Sequence, residues 1–162
     1  MKVICLDPGV TTGYAVGHIE QGQPMGVISG QEAWNELGLY NNLVSGKPDI
    51  IVYETFESGK DNPYRKVKNR NYDVELFSRN LIGVIELYVQ QQESPNKIPC
   101  YRQSPAKGVG GHFRLDSILK QASVFKIGKP HANDAMRHLL QWYTFGAGFQ
   151  YDTEKKGFVP LA

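Results

Sequence analysis

Four side chains in this 162-residue chain have the types and placement to do chemistry together: Asp7, Glu54, His131 and Asp134. Val3, Ile4, Cys5 and Leu6 form an unbroken apolar run that stops at Asp7, the pattern of a strand covered on both faces with a carboxylate where the core ends. Ile50, Ile51 and Val52 repeat that pattern, and Glu54 follows as Asp7 does in the first run. A helix between the two runs makes the connection a crossover, which sets the strands parallel and brings the two carboxylates together at one sheet edge. Carboxylates meeting beside apolar strands repel each other and lose hydration unless a cation holds them, so the pair points to a divalent metal. His131 and Asp134 lie three apart at the start of a predicted helix and project from one face. Oxygen ligands with one imidazole suit Mg²⁺ or Mn²⁺, the latter tolerating nitrogen better. Each residue has a plainer use: Asp7-Pro8-Gly9 is turn chemistry, and a histidine near a helix start is commonly an anchor. The argument rests on the set.

The elements that must position this set can be read in order. The first strand turns through Pro8, Gly9 and Gly13 into a second over 14–19, and a third short strand over 25–30 completes an antiparallel meander. Ser29 or Gly30 caps a helix with Ala33, Trp34, Leu37, Tyr40, Leu43 and Val44 on one face, stopped by Gly46-Lys47-Pro48. Beyond Glu54, residues 56–71 have no apolar period, and their basic and aromatic mix suits a functional loop. A long helix over 72–92 carries Val74, Phe77, Leu81, Val84, Ile85, Tyr88 and Val89 as its stripe, with Ile82 and Leu87 as a second apolar edge. An edge strand over 97–102, a Gly-rich basic loop, a helix over 114–124 and a last helix over 131–145 follow. This frame predicts an α/β fold with a mixed five-stranded sheet flanked by helices, in one domain over 1–150, and a polar tail over 151–162 whose role is not legible.

Composition bounds the rest. Apolar residues at 41% and charged residues at 21% are ordinary globular values, and the net charge of +2 names no partner. Its distribution is more telling. Between Lys60 and Arg70 five basic residues stand against Asp61, and between Lys97 and Lys129 seven stand against Asp116. Cys5 and Cys100 lack ligand or redox spacing and read as small buried apolar groups of a reducing compartment. No apolar run reaches the length of a membrane span or a leader, which predicts a cytoplasmic protein with no membrane partner.

The stretches Ile4 to Val16, Ile50 to Phe56 and His131 to Met136 together resemble the RuvC family of Holliday-junction resolvases, within the ribonuclease H-like superfamily. The resemblance runs in order to about Phe145. It implies a first strand ending in a catalytic Asp, matched by Asp7, a fourth strand ending in a catalytic Glu, matched by Glu54, and a last helix contributing His131 and Asp134. It further implies a metal-dependent endodeoxyribonuclease, in a bacterial cell or phage-infected host, that makes paired symmetric nicks in four-way DNA junctions. Two Mg²⁺ or Mn²⁺ ions per site would activate water and stabilise the leaving 3′-oxygen. Two nicks imply a homodimer, for which the surplus apolar edge of the long helix offers Leu81, Ile82, Ile85 and Val89. DNA contacts are expected from Phe56, Lys60, Tyr64, Arg65, Lys66, Lys68, Arg70, Lys107 and Arg114. The chain departs from the family where an aromatic wedge usually stands three positions after the Glu: Glu57 is there, and Phe56 or Tyr64 would have to serve. Three rivals share parts of the pattern, one of them a non-catalytic DNA-binding relic, disfavoured because all four ligand candidates are intact. A related single-domain nuclease would act on RNA or other branched DNA, and an actin-like ATP-binding domain would use the Asp7-to-Gly13 hairpin as a phosphate loop. The latter needs a second lobe for which the chain has little room, so no nucleotide cofactor is expected.

Overall fold

The computed structural model describes residues 1–55, 72–92, 97–104, 116–152, 154 and 157–160, those of 72–75 and 157 by backbone alone. Five strands form the main sheet: β1 (Lys2–Asp7), β2 (Thr12–Glu20), β3 (Gln23–Glu32), β4 (Ile50–Glu54) and β5 (Cys100–Gln103). Their order across the sheet is β3-β2-β1-β4-β5. β1 to β3 form an antiparallel meander, whereas β4 runs parallel to β1 and β5 parallel to β4. The expected mixed sheet is therefore present, with helices α1 (Glu36–Gly46), α2 (Tyr72–Gln90), α3 (Asp116–Gln121) and α4 (Pro130–Phe145) around it.

Side-chain alternation along β1 and β4 sorts the interior into two cores. Ile4, Leu6, Ile51 and Tyr53 face Leu39 and Leu43 of α1 and Leu81, Ile85 and Tyr88 of α2. Val3, Cys5, Ile50 and Val52 face Ala135, Met136, Leu139 and Tyr143 of α4. Asp7 follows Val3 and Cys5 in period two, and Glu54 follows Ile50 and Val52, so both carboxylates belong to the α4 face. The register pairs Leu6 with Tyr53, which leaves Asp7 and Glu54 one step further along adjacent strands.

α4 lies unusually close to β2, and the reason is in the strand. Gly13, Ala15 and Gly17 occupy the positions that face the helix, against Ala132 and Ala135, all without bulk. A Cβ on Gly13 would come within 1.9 Å of the His131 carbonyl oxygen, and one on Gly17 within 2.0 Å of the Tyr143 hydroxyl. These glycines set the height of the helix above the sheet.

Several elements differ from the sequence-based expectation. β3 runs ten residues rather than six, because its ladder with β2 continues from Glu20–Gln23 to Thr12–Glu32. The pairing carries the chain past the expected helix start, and α1 begins only after Asn35, whose side chain accepts from the Gly38 N–H at 2.8 Å. The buried face of α1 is consequently rotated: Leu39 and Leu43 are fully buried, whereas Leu37 and Val44 are exposed. Trp34 leaves the helix altogether and stacks on Tyr14 at 5.2 Å. The C-terminal residues form a hairpin of β6 (Phe149–Asp152) and β7 (Gly157–Pro160), with Phe149 and Phe158 packed on Tyr143. Cys5 and Cys100 are both free. Among the described residues no helix is long and apolar enough to cross a membrane.

The close approach yields a direct test. Gly13→Ala should lower stability by about 2–3 kcal/mol, since backbone must move to admit the methyl. Gly46→Ala, with open space around its Cβ position, should change it by less than about 1 kcal/mol. Urea unfolding of both variants measures the difference.

Candidate active site

Asp7 ends β1, and the turn beyond it is closed by Thr12, whose hydroxyl donates to the Gly9 carbonyl at 3.0 Å. Glu54 ends β4 beside it. α4 starts at Pro130, where a missing N–H costs nothing, and its first turn delivers His131 and Asp134 to the same edge. His131 Nδ1 lies 2.8 Å from Asp7 Oδ2. The four expected residues are thus at one end of the sheet, but the structure pairs them off rather than merging them. Glu54 Oε2 lies 2.7 Å from Nε2 of His138, a fully buried residue two turns along α4. Asp134 is ion-paired to Arg137, which also grips Asp116 of α3. Each of the three carboxylates therefore has its own basic partner, and all three partners come from α4.

Asp7 registers the charge density of this edge. Its carboxyl is pushed up to about 6, first by burial, then by the neighbouring Glu54 charge, with Asp134 adding to the rise and His131 opposing it. Coupling of this kind reaches further than ligation, and among the described residues no three acidic, imidazole or thiol groups already stand as a ready-made cation cage. By donor chemistry the set nevertheless fits a hard divalent cation: oxygens of Asp7, Glu54 and Asp134 with the His131 imidazole, at an edge where a positive charge would relieve the repulsion felt by Asp7.

His138, Gln103 and Arg137 were not singled out in the sequence. His138 and Arg137 are the residues one would look for, lying seven and six positions beyond His131 on the same helix. Of the expected interface residues, Leu81 and Ile85 need correction, being fully buried in the core, whereas Ile82 and Val89 are half-buried beside it. The exposed apolar side chains of α2 are instead Leu76 and Leu87. Phe56, Lys60, Tyr64, Arg65, Lys66, Lys68, Arg70, Lys107 and Arg114 lie outside the described residues.

The sheet order and flanking helices define a ribonuclease H-like fold of the RuvC type. Solved structures with this fold include Thermus thermophilus RuvC in complex with a Holliday junction substrate, 13% identical over 89% of this chain and 94% of that one, with a TM-score of 0.58. Thermus thermophilus RuvC alone aligns at 14% identity over 99% and 100% of the two chains, TM-score 0.56. The fowlpox virus Holliday junction resolvase aligns at 14% over 89% and 99%, TM-score 0.53. The sequence matches no family model and no curated protein sequence.

The raised Asp7 carboxyl makes a prediction whose sign can be worked out. Its folded value lies above the ordinary carboxyl value of 3.8, so its contribution to stability is complete below pH 3.8 and lost as pH rises through about 6. A rise from 3.8 to about 6 corresponds to about 3 kcal/mol at neutral pH. In chelator, Asp7→Asn should therefore be more stable than the parent at pH 7 by about 1–3 kcal/mol, the loss of the His131 contact trimming the gain. Near pH 4 the gain should vanish. Urea unfolding at the two pH values checks both arms.

Proposed function

We propose that this chain is a metal-dependent endonuclease that resolves four-way DNA junctions. The observation that carries the proposal is the meeting of Asp7 and Glu54 at adjacent parallel strand ends with His131 and Asp134 delivered by a helix crossing that edge. The fold it occurs in is shared with proteins described as Holliday junction resolvases, which supports the substrate class. Asp7, Glu54 and Asp134, with His131, would hold Mg²⁺ or Mn²⁺, two ions per site. Such ions supply an activated water and a stabilised 3′-oxygen leaving group.

The chain's own residues shape the rest. Partial burial of the strand ends limits the access of water to Asp7 and Glu54, which strengthens their hold on a cation. His131 holds one Asp7 oxygen and so fixes which oxygen remains free. Arg137 does the same for Asp134 from the other side. The basic segments over 60–70 and 97–129 supply positive charge for phosphate contacts.

Asp7→Asn, Glu54→Gln and Asp134→Asn should each lower cleavage of a mobile four-way junction by at least about a thousandfold while leaving junction affinity within a few-fold, since they remove metal-ligand charge rather than phosphate contacts. Single-turnover cleavage and gel-shift titration in Mg²⁺ and Mn²⁺ measure both. Equal cutting of linear duplex or an RNA–DNA hybrid would replace the resolvase reading with a less selective nuclease.

Paired nicks need two sites, so the active species is proposed to be a homodimer. Leu76, Gly83 and Leu87 recur on the exposed side of α2, and Gly83 leaves room for a close helix crossing. Leu87→Glu should give a folded monomer by sedimentation that nicks one strand without the second, symmetric incision. A parent protein that sediments as a monomer with and without junction would remove the dimer.

A further inference from the structure

We propose that His138 is a positioning residue for Glu54, and that Gln103 sets the way its imidazole is used. This deepens the nuclease reading and rests on it. His138 is fully buried, between two polar groups on adjacent strands: Nε2 lies 2.7 Å from Glu54 Oε2, and Nδ1 lies 2.6 Å from Gln103 Oε1. The Gln103 amide is oriented by a second contact, its Nε2 donating to the His138 backbone carbonyl at 3.3 Å. Its Oε1 must therefore accept, and His138 Nδ1 must carry a hydrogen. The 2.7 Å contact to the Glu54 carboxylate oxygen then needs a second N–H at Nε2, so both ring nitrogens of His138 donate. Glu54 and Gln103 are paired in the β4–β5 register, and the Thr55 N–H donates to the Gln103 carbonyl at 2.8 Å, so the two ends of the relay are also tied through backbone.

The arrangement has the form of an outer hydrogen-bond shell. A carboxylate on the last residue of a strand is free to rotate about its side-chain torsions. One oxygen held by a buried imidazole loses that freedom, and the other is left for a ligand. A buried imidazole needs a partner at each ring nitrogen wherever it sits, and here one of the two is a site carboxylate. A fully buried, doubly bonded imidazole ending on a site carboxylate is placed to control that carboxylate's direction.

The test measures metal binding apart from turnover. Mn²⁺ affinity of the whole chain, read by electron paramagnetic resonance without DNA, should fall by about tenfold or more in His138→Ala, the range seen when such outer partners are removed. His138→Gln, whose amide nitrogen can occupy the Nε2 position, should recover most of the loss. Gln103→Leu should weaken Mn²⁺ binding with His138 still present, and should abolish the hydrogen-bonded Nδ1–H resonance of His138 in a nitrogen-edited spectrum. If His138→Ala does not fold, as judged by circular dichroism, the Gln variant and Gln103→Leu carry the comparison. Parent-like Mn²⁺ affinity in Gln103→Leu and no recovery in His138→Gln, or an Nδ1 without hydrogen in the parent, would overturn the positioning role while the nuclease reading stands. A parent that binds no Mn²⁺ and cuts no junction would sink that reading first, and this role with it.

Discussion

The site depends on how closely one helix can lie on one strand. α4 reaches β2 where Gly13, Ala15 and Gly17 present almost no side chain, and at Gly13 even a methyl group would strike the His131 backbone. Small residues on the helix, Ala132 and Ala135, complete the contact. Had either surface carried ordinary side chains, the helix would be pushed away from the strand and the 2.8 Å contact of His131 with Asp7 would be lost. The short range of hydrogen bonding turns a packing detail into a condition for chemistry.

From that contact follows an electrostatic arrangement. Three carboxylates are gathered at a partly buried edge, where burial, then the neighbouring Glu54 charge, with Asp134 adding to them, raises the cost of ionising Asp7. The same helix that gathers them supplies a counter-group to each: His131 to Asp7, Arg137 to Asp134 and His138 to Glu54. These pairs do more than offset charge. Each engages particular oxygens and leaves others open, so direction as well as sign is specified. Arg137 extends the arrangement to Asp116, linking the short helix α3 to the site.

Much of this was legible in the sequence, for definable reasons. Asp7 and Glu54 end unbroken apolar runs, and a carboxylate at such a boundary is conspicuous; His131 and Asp134 share a helix face by spacing alone. The strand-helix-strand frame likewise follows from periodicity. The β3–α1 boundary did not, because cross-strand pairing with β2 outweighed the local cues that suggested an earlier cap. The rotated face of α1 is a consequence of that shift. His138 escaped notice because its importance comes from partners 35 and 84 positions away, which no local pattern encodes. Leu81 and Ile85 were misplaced because a helix with two apolar edges does not declare which edge is the core.

The residues at this edge are drawn from β1, β4, β5 and α4, and His131 meets Asp7 across 124 positions of chain. Such long-range closure is the slow part of folding, and a chain synthesised from its N-terminus presents both strand carboxylates well before the helix that completes them. Until α4 docks, Asp7 and Glu54 lack the partners that orient them. The arrangement at this edge is therefore tied to the completion of the fold: a chain in which α4 has not docked keeps the acidic residues of the strands but not their geometry.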